Sequence, residues 1–303
     1  MLNQAFKNHI ELQLADHVLQ PVKIVSAQAI AGGCINDGYQ LLTSAGLFFL
    51  KLNQAHLLEM FAAEAAGLVE LQKAEQFVIP EPISYGLVDQ QSYLLMSYLE
   101  FSGRVSEDTF GQSLRAMHTL TRSQFGFHSD NFIGSSPQSN RQHDKWFDFF
   151  MQERLEFQLR MLHDSGRGSE LNTIWPEFVN VCQELFGSYK PKPSLLHGDL
   201  WQGNVGQVGA KASIFDPAVY YGDAEADLAM LTLFGSPSKR FYESYYSAVS
   251  ESGADTDSDD ANRALRRDWY NLYHVLNHAN LFGGGYLNQA KAIIRQIICT
   301  RSQ

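Results

Sequence analysis

Apolar positions recur along this chain in two different periods. Up to about residue 97 they fall in short runs, PVKIVSAQAI, GYQLLTS, GLFFLKLN, ISYGLVD and SYLLMSYL, with Gly, Asp or Asn between them. Such runs predict β-strands. One segment among them repeats differently. HLLEMFAAEAAGLVELQKA spaces Leu57, Phe61, Ala65, Leu68 and Leu71 at helical intervals, and VIPEP then ends the pattern. The opening MLNQAFKNHIELQLADHVLQ reads as an amphipathic helix. From about residue 104 the helical period takes over. Ser106, followed by Glu107 and Asp108, predicts a capped helix that reaches Leu120. HDKWFDFFMQERLEFQLRMLHD and ELNTIWPEFVNVCQELFGS read as two more helices. DDANRALRRDWYNLYHVLNHANLF and NQAKAIIRQIIC close the chain as a pair split by Gly283, Gly284 and Gly285.

Between these helices lies an island of loops and short strands, LLHGDLWQGNVGQVGAKASIFDPAVYYGD. The whole predicts an α+β chain of two lobes. Residues 1–97 would form a small antiparallel-sheet lobe with one helix, and residues 98–303 a larger, mostly helical lobe. A connector near Ser97 to Gly103 would join them. This is the outline of a protein-kinase-like fold.

Composition narrows the classes. With 303 residues, 45% of them hydrophobic, the chain has enough apolar material for a sizeable core. Charged residues are 18%, so little of it is expected to be disordered. A formal net charge of -10 and the lack of a basic stripe argue against nucleic acid as a partner. Cys34, Cys182 and Cys299 are widely spaced and odd in number, which suits a reducing cytosol and makes no zinc pattern. The first residues lack a signal peptide's apolar core, and no run approaches membrane-spanning length. A cytoplasmic protein with no membrane partner is expected. ESGADTDSDD reads as an exposed acidic turn.

The island poses a chemical question. Asp199 sits in a His-Gly-Asp turn, Asn204 follows it, and Asp216 comes after ASIF, which reads as a buried strand. A buried carboxylate needs a positive partner. Phosphoryl transfer from ATP supplies one, because it needs a cover over the phosphates, a cation, metal ligands and a carboxylate that orients the attacking hydroxyl. Asp199 is the candidate for the hydroxyl. Asn204 and Asp216 are the candidate oxygen ligands of Mg²⁺. His197 is expected to buttress the turn. Lys51 is the candidate cation, and Glu64, in the patch Ala62, Ala63, Ala65 and Ala66, its candidate partner. A lysine lying along the surface is the plainer alternative. Gly32 and Gly33 in AGGCINDGYQ are candidates for the phosphate cover, with a simple hairpin bend as the alternative. Met96 and Tyr98, at the start of the connector, complete the nucleotide-binding candidates. Downstream, Asp223 is expected to cap a helix, and Asp227 to bind backbone amides of the Asp199 turn.

These residues resemble the fructosamine kinase (ketosamine-3-kinase) family. HGDLWQGN is similar to the family's HGDLW-S-GN, with Gln202 in the serine place, and FDPAVYYGDAEADLAML to its Asp-Pro-Ala-x-Tyr-Tyr-Gly-Asp block. GGCIND, FLK, FAAEAAGL, NFIGSSPQSN, WFDFFMQERL and LNHANLFGGGYL resemble further family segments, so the likeness covers nearly the whole chain. It implies a fold like that of aminoglycoside and choline kinases. It also implies ATP-dependent phosphorylation of O3 on a ketosamine, a class that takes in ribulosamine, erythrulosamine and fructosamine adducts of amines and protein lysines, as a deglycation repair. Trp201 would pack on the sugar and attract the amine. A monomer or weak homodimer is expected.

Three alternatives compete with this reading. A protein kinase is disfavoured because Gly198 stands where an arginine would read a phosphorylated loop, and little chain separates Asp216 from Asp223. An aminoglycoside- or choline-type small-molecule kinase would share the core motif. A catalytically dead scaffold conflicts with the presence of Lys51, Asp199, Asn204 and Asp216.

Overall fold

The computed structural model describes residues 2–30, 35–247 and 260–300. The chain opens with α1 (Gln4–Val18), whose first turn is capped by Asn3 accepting from the Phe6 N–H. Strands β1 (Ile24–Ile30), β2 (Asp37–Thr43) and β3 (Gly46–Gln54) follow, then α2 (Leu58–Leu71), β4 (Pro82–Val88) and β5 (Gln91–Ser97). The strands pair antiparallel in the order β1-β2-β3-β5-β4.

Alternation along the central strands sorts this sheet into two faces. Phe48, Leu50 and Leu52 of β3, with Tyr93 and Leu95 of β5, pack with Phe6, Ile10 and Leu14 of α1. Leu94 and Met96 of β5, with Phe49 of β3, pack with Phe61, Ala65 and Leu68 of α2. Lys51 lies opposite Leu94 in the register, so it shares the face that α2 covers.

Two compact units result, Met1–Arg104 with Gly206–Asp216, and Val105–Val205 with Pro217–Gln303. The first therefore takes in a stretch from beyond the boundary expected at 97/98. That stretch is a ribbon of Val205–Val208 paired with Lys211–Ile214. It is tied down by the Val78 N–H to the Ala212 carbonyl (2.9 Å) and the Ser102 N–H to the Gln207 carbonyl (2.7 Å).

The second unit is mainly helical. It contains α3 (Glu107–His118), α4 (Trp146–Phe149), α5 (Glu156–Asp164), α6 (Trp175–Phe186), α7 (Ala224–Met230), α8 (Lys239–Ser247), α9 (Asp260–Phe282) and α10 (Tyr286–Thr300). Ser106 caps α3 as its sequence predicts. The long helix expected over WFDFFMQERLEF is interrupted. Phe150–Leu155 widens to a π-helical segment between α4 and α5, and both Glu153 and Arg154 there are buried. Trp269 of α9 anchors the core, stacking on Phe186 at 4.7 Å and on Phe147 at 5.9 Å.

Candidate active site

In the first unit the site is built around one ammonium group. Lys51 is buried beneath α2, and its Nζ donates to Glu64 Oε1 at 2.6 Å and also to Asp216 Oδ1. Burial disfavours the ammonium, but Asp216 and Glu64 outweigh it and hold Lys51 above its ordinary pKa. Glu64 is pushed up by its burial, with the charge of Asp216 adding to the effect and Lys51 opposing it. Of the alanines around Glu64, Ala65 packs with Phe61 and Leu68 against Leu94 and Met96 of the sheet.

Asp216 ends the ribbon. Ala212, Ser213 and Ile214 before it are buried, but the chain turns at Asp216 into the left-handed region (φ 57°). Its side chain is consequently 48% exposed, which corrects the expectation of a buried carboxylate. Strain of this kind at a non-glycine residue is concentrated at functional sites. The positive partner that Asp216 has in the structure is Lys51.

In the second unit Asp199 sits in a turn fixed from behind. Asp227 of α7 accepts the His197 N–H on Oδ2 (2.8 Å) and the Gly198 N–H on Oδ1 (2.9 Å). His118 Nε2 lies 3.3 Å from the same carboxylate. Burial alone would raise Asp227, but the His118 hydrogen bond, the charges of His118 and His197 and the Gly198 N–H bring it below the usual carboxylate range. Within the turn the Asp199 N–H donates to His197 Nδ1 (3.3 Å), so His197 supports the turn as its position suggested. Asn204 Nδ2 donates to the Asp199 carbonyl (2.9 Å) and reaches Asp199 Oδ2 at 3.4 Å. The atom Asn204 has for a cation is therefore its carbonyl oxygen. An amide oxygen is a donor that a hard divalent cation takes.

Asp223 caps α7 by accepting the Glu225 N–H, and it accepts the Tyr270 hydroxyl at 2.6 Å. Burial and the neighbouring Glu225 raise its pKa to about 7. Trp201 is 38% exposed and meets Phe234 edge to face, so it does not pack inside the helical unit.

The remaining candidates divide. Met96 is buried against α2, and Tyr98 is half-buried. Gly32, Gly33 and Cys34 lie outside the described residues, as does nearly all of the acidic ESGADTDSDD run. A polar scaffold escaped the sequence reading altogether. NFIGSSPQSN forms a hairpin of Asn131–Ile133 with Ser136–Gln138, and Asn131, Gln138 and Asn140 are buried. Gln138 Nε2 donates to the Ala218 carbonyl (3.0 Å) and Asn131 Nδ2 to the Val219 carbonyl (2.8 Å). Ala218 in turn donates its N–H to the His197 carbonyl (2.9 Å). The hairpin thus braces the Ala218–Val219 segment that bonds to the Asp199 turn. Its density of Asn, Gln and Ser was the available signal.

Among the described residues no helix is long and apolar enough to cross a membrane. The fructosamine kinase family model matches residues 6–300. A candidate ketoamine kinase from Synechocystis is 40% identical over 296 residues, covering 95% of this chain and 96% of that protein. A chloroplastic protein-ribulosamine 3-kinase from Arabidopsis thaliana is 36% identical, covering 90% and 82%. The crystal structure of a candidate fructosamine-3-kinase from Haemophilus somnus superposes with a TM-score of 0.83 at 26% identity, covering 95% and 96%. An aminoglycoside phosphotransferase superposes with a TM-score of 0.57 at 13% identity, covering 94% and 98%, which shows a shared kinase-like fold. The sequence motifs, the two-unit architecture and these likenesses agree: the chain belongs to the fructosamine kinase family.

Proposed function

We propose that this chain transfers the γ-phosphoryl group of ATP to O3 of a ketosamine. The observation that carries the reading is the Asp199 turn, clamped by Asp227 through two backbone N–H groups and by Asn204 through the Asp199 carbonyl. That rigidity suits a carboxylate whose task is to orient one hydroxyl. Membership in a kinase family implies ATP as the donor.

Each residue has a distinct part. Asp199 accepts the hydrogen of the O3 hydroxyl, and the oxygen bonds to the γ-phosphorus as the bond to the β-γ bridging oxygen breaks, releasing ADP. Lys51, kept charged by Asp216 and Glu64, is assigned to the phosphate oxygens. Asp216 is assigned as an oxygen ligand of Mg²⁺, and Asn204 Oδ1 as another. When bound, the cation neutralises charge on the phosphates. Met96 and Tyr98 are assigned to the nucleotide, and Trp201 to the sugar.

The substrate class is an amine adduct of a ketose, with ribulosamine, erythrulosamine and fructosamine the members to compare. The test is ADP release from ATP and Mg²⁺ with ribulose-, erythrulose- and fructose-lysine, the phosphate position being read by NMR. Ketosamine-dependent release with phosphate on O3 is expected. Asp199→Asn should lower kcat roughly 10²–10⁴-fold while ATP still binds. Turnover of an aminoglycoside or choline, with none of the adducts phosphorylated, would replace the reading.

A further inference from the structure

Trp201 begins a row of rings on the second unit. It meets Phe234 edge to face with centroids 5.8 Å apart, and Phe234 meets His278 at 5.4 Å. His278 stacks on Phe282 at 5.7 Å and on Tyr286 at 5.1 Å. The rings come from four stretches: the loop after Asp199, the segment after α7, the end of α9 and the start of α10.

Aromatic clusters are normal inside a core, and this unit has one around Trp269. The row differs because it is open to solvent. Trp201 is 38% exposed, Phe234 49% and Phe282 58%. Among the described residues these are the second unit's only exposed large hydrophobic side chains, and all of them fall in one row. Contiguous apolar surface of this kind marks a binding site more often than scattered exposure does. Burial holds His278 below the ordinary imidazole value, so the ring adds no positive charge.

The row also has a direction. It starts two positions after Asp199, where the reacting hydroxyl is oriented, and continues through steps of 5.8, 5.4 and 5.7 Å. Four rings in succession offer more contact surface than one sugar covers. In a ketosamine the amine nitrogen lies a few bonds from O3, and beyond it comes the chain that carries the amine. Ring faces suit both the cation and the alkyl chain behind it, and the formal net charge of -10 favours a cationic partner.

We propose that Phe234, His278, Phe282 and Tyr286, continuing from Trp201, form a subsite for the peptide segment that carries a glycated lysine. The inference rests on the ketosamine reading and deepens it. Trp201 meets the sugar and its amine, Phe234 and His278 meet the lysine chain, and Phe282 with Tyr286 meets the residues beside that lysine.

The experiment uses the full chain with ATP and three ribulose adducts, of methylamine, of free lysine and of a lysine within a short peptide. For the wild type, kcat/KM is expected to rise in that order. Phe234→Ala and Phe282→Ala should each lower the peptide-to-methylamine ratio of kcat/KM roughly 3- to 10-fold, the loss of one aromatic contact. For Phe282→Ala the lysine-to-methylamine ratio should change least. Phe282→Tyr should restore the ratio, which separates a lost contact from a damaged fold. Ratios that stay at the wild-type value in both alanine variants would overturn the subsite and leave the ketosamine reading standing. A wild type that phosphorylates none of the adducts would overturn both.

Discussion

Gly198 passes so close to Ala218 that a β-carbon on it would lie 2.0 Å from the Ala218 carbonyl oxygen. Gly198 also has φ +81°, in the left-handed region. The place where protein kinases carry an arginine has no room for any side chain. Gly198→Ala is therefore expected to cost at least ~1–2 kcal/mol from backbone strain alone, with the clash added. It should also lower kcat, because the turn cannot shift without moving Asp199. Urea denaturation and steady-state kinetics read the two effects. Wild-type stability in this variant would show that the turn is less constrained than its geometry indicates.

The Lys51 cluster gives a pH-dependent expectation. Lys51→Met leaves Glu64, already raised by burial, without its cation. The loss should be about 1–3 kcal/mol, below that of a fully buried broken pair because Asp216 is half exposed. Glu64's folded pKa then rises further. A raised carboxyl contributes stability that is fully present below its unfolded value, ~4.3, and is lost as pH rises through the folded value. The variant should thus approach the wild type near pH ~4–5 and differ most at neutral pH. Thermal melts across that range test it, and a deficit independent of pH would count against the pairing.

Asp223 should shape the wild type's own pH profile. Its pKa is raised to about 7, first by burial and then by Glu225. Its contribution is present below the unfolded value, ~3.9, and declines as pH climbs through about 7. Asp227 is lowered and acts oppositely, its contribution being lost as pH falls through its folded value. Asp223→Asn keeps an oxygen for the Glu225 N–H and should flatten the decline of stability between pH ~4 and ~8. An unchanged slope would assign that decline to other groups.

The hairpin brace can be tested at Gln138. Gln138→Leu removes the donor to the Ala218 carbonyl and leaves the Tyr273 hydroxyl, 2.5 Å from Gln138 Oε1, without that acceptor. A cost of about 1–3 kcal/mol is expected. If the hairpin also positions the Asp199 turn, kcat should fall while KM for ATP holds. A stability loss with kcat unchanged would make the hairpin a scaffold alone.

How much of this was legible follows the range of each interaction. Caps such as Ser106 and Asp223 are local, and their residues announce them. Lys51 and Glu64 could be paired from sequence because an acid amid alanines stands out. Asp216 could not be assigned to Lys51, since 165 positions separate them and nothing local ties the two. Its exposure was misjudged for a related reason: a buried strand says nothing about the left-handed residue that ends it. The π-helical widening at Phe150–Leu155 falls where nearly every position from Trp146 to Leu155 is buried, so apolar spacing does not reveal it. NFIGSSPQSN is polar and carries no apolar period, so its sequence does not show that its amides are buried where they meet backbone carbonyls. The aromatic row joins four separated stretches, and although HGDLWQGN and LNHANLFGGGYL carry four of its five rings, nothing local in either says that they meet.

The ribbon that Gly206–Asp216 adds to the first unit has a consequence for biosynthesis. A chain emerging from the ribosome can form the α1-covered sheet early. It cannot bond Val78 to Ala212 or place a second carboxylate on Lys51 until more than a hundred further residues have been made. During that interval the nascent first unit presents an unfinished edge to chaperones and proteases. Release of a truncated product ending after Arg104 would leave that state permanent. Completion of the Lys51 cluster therefore waits on translation of the same segment that carries the Asp199 turn.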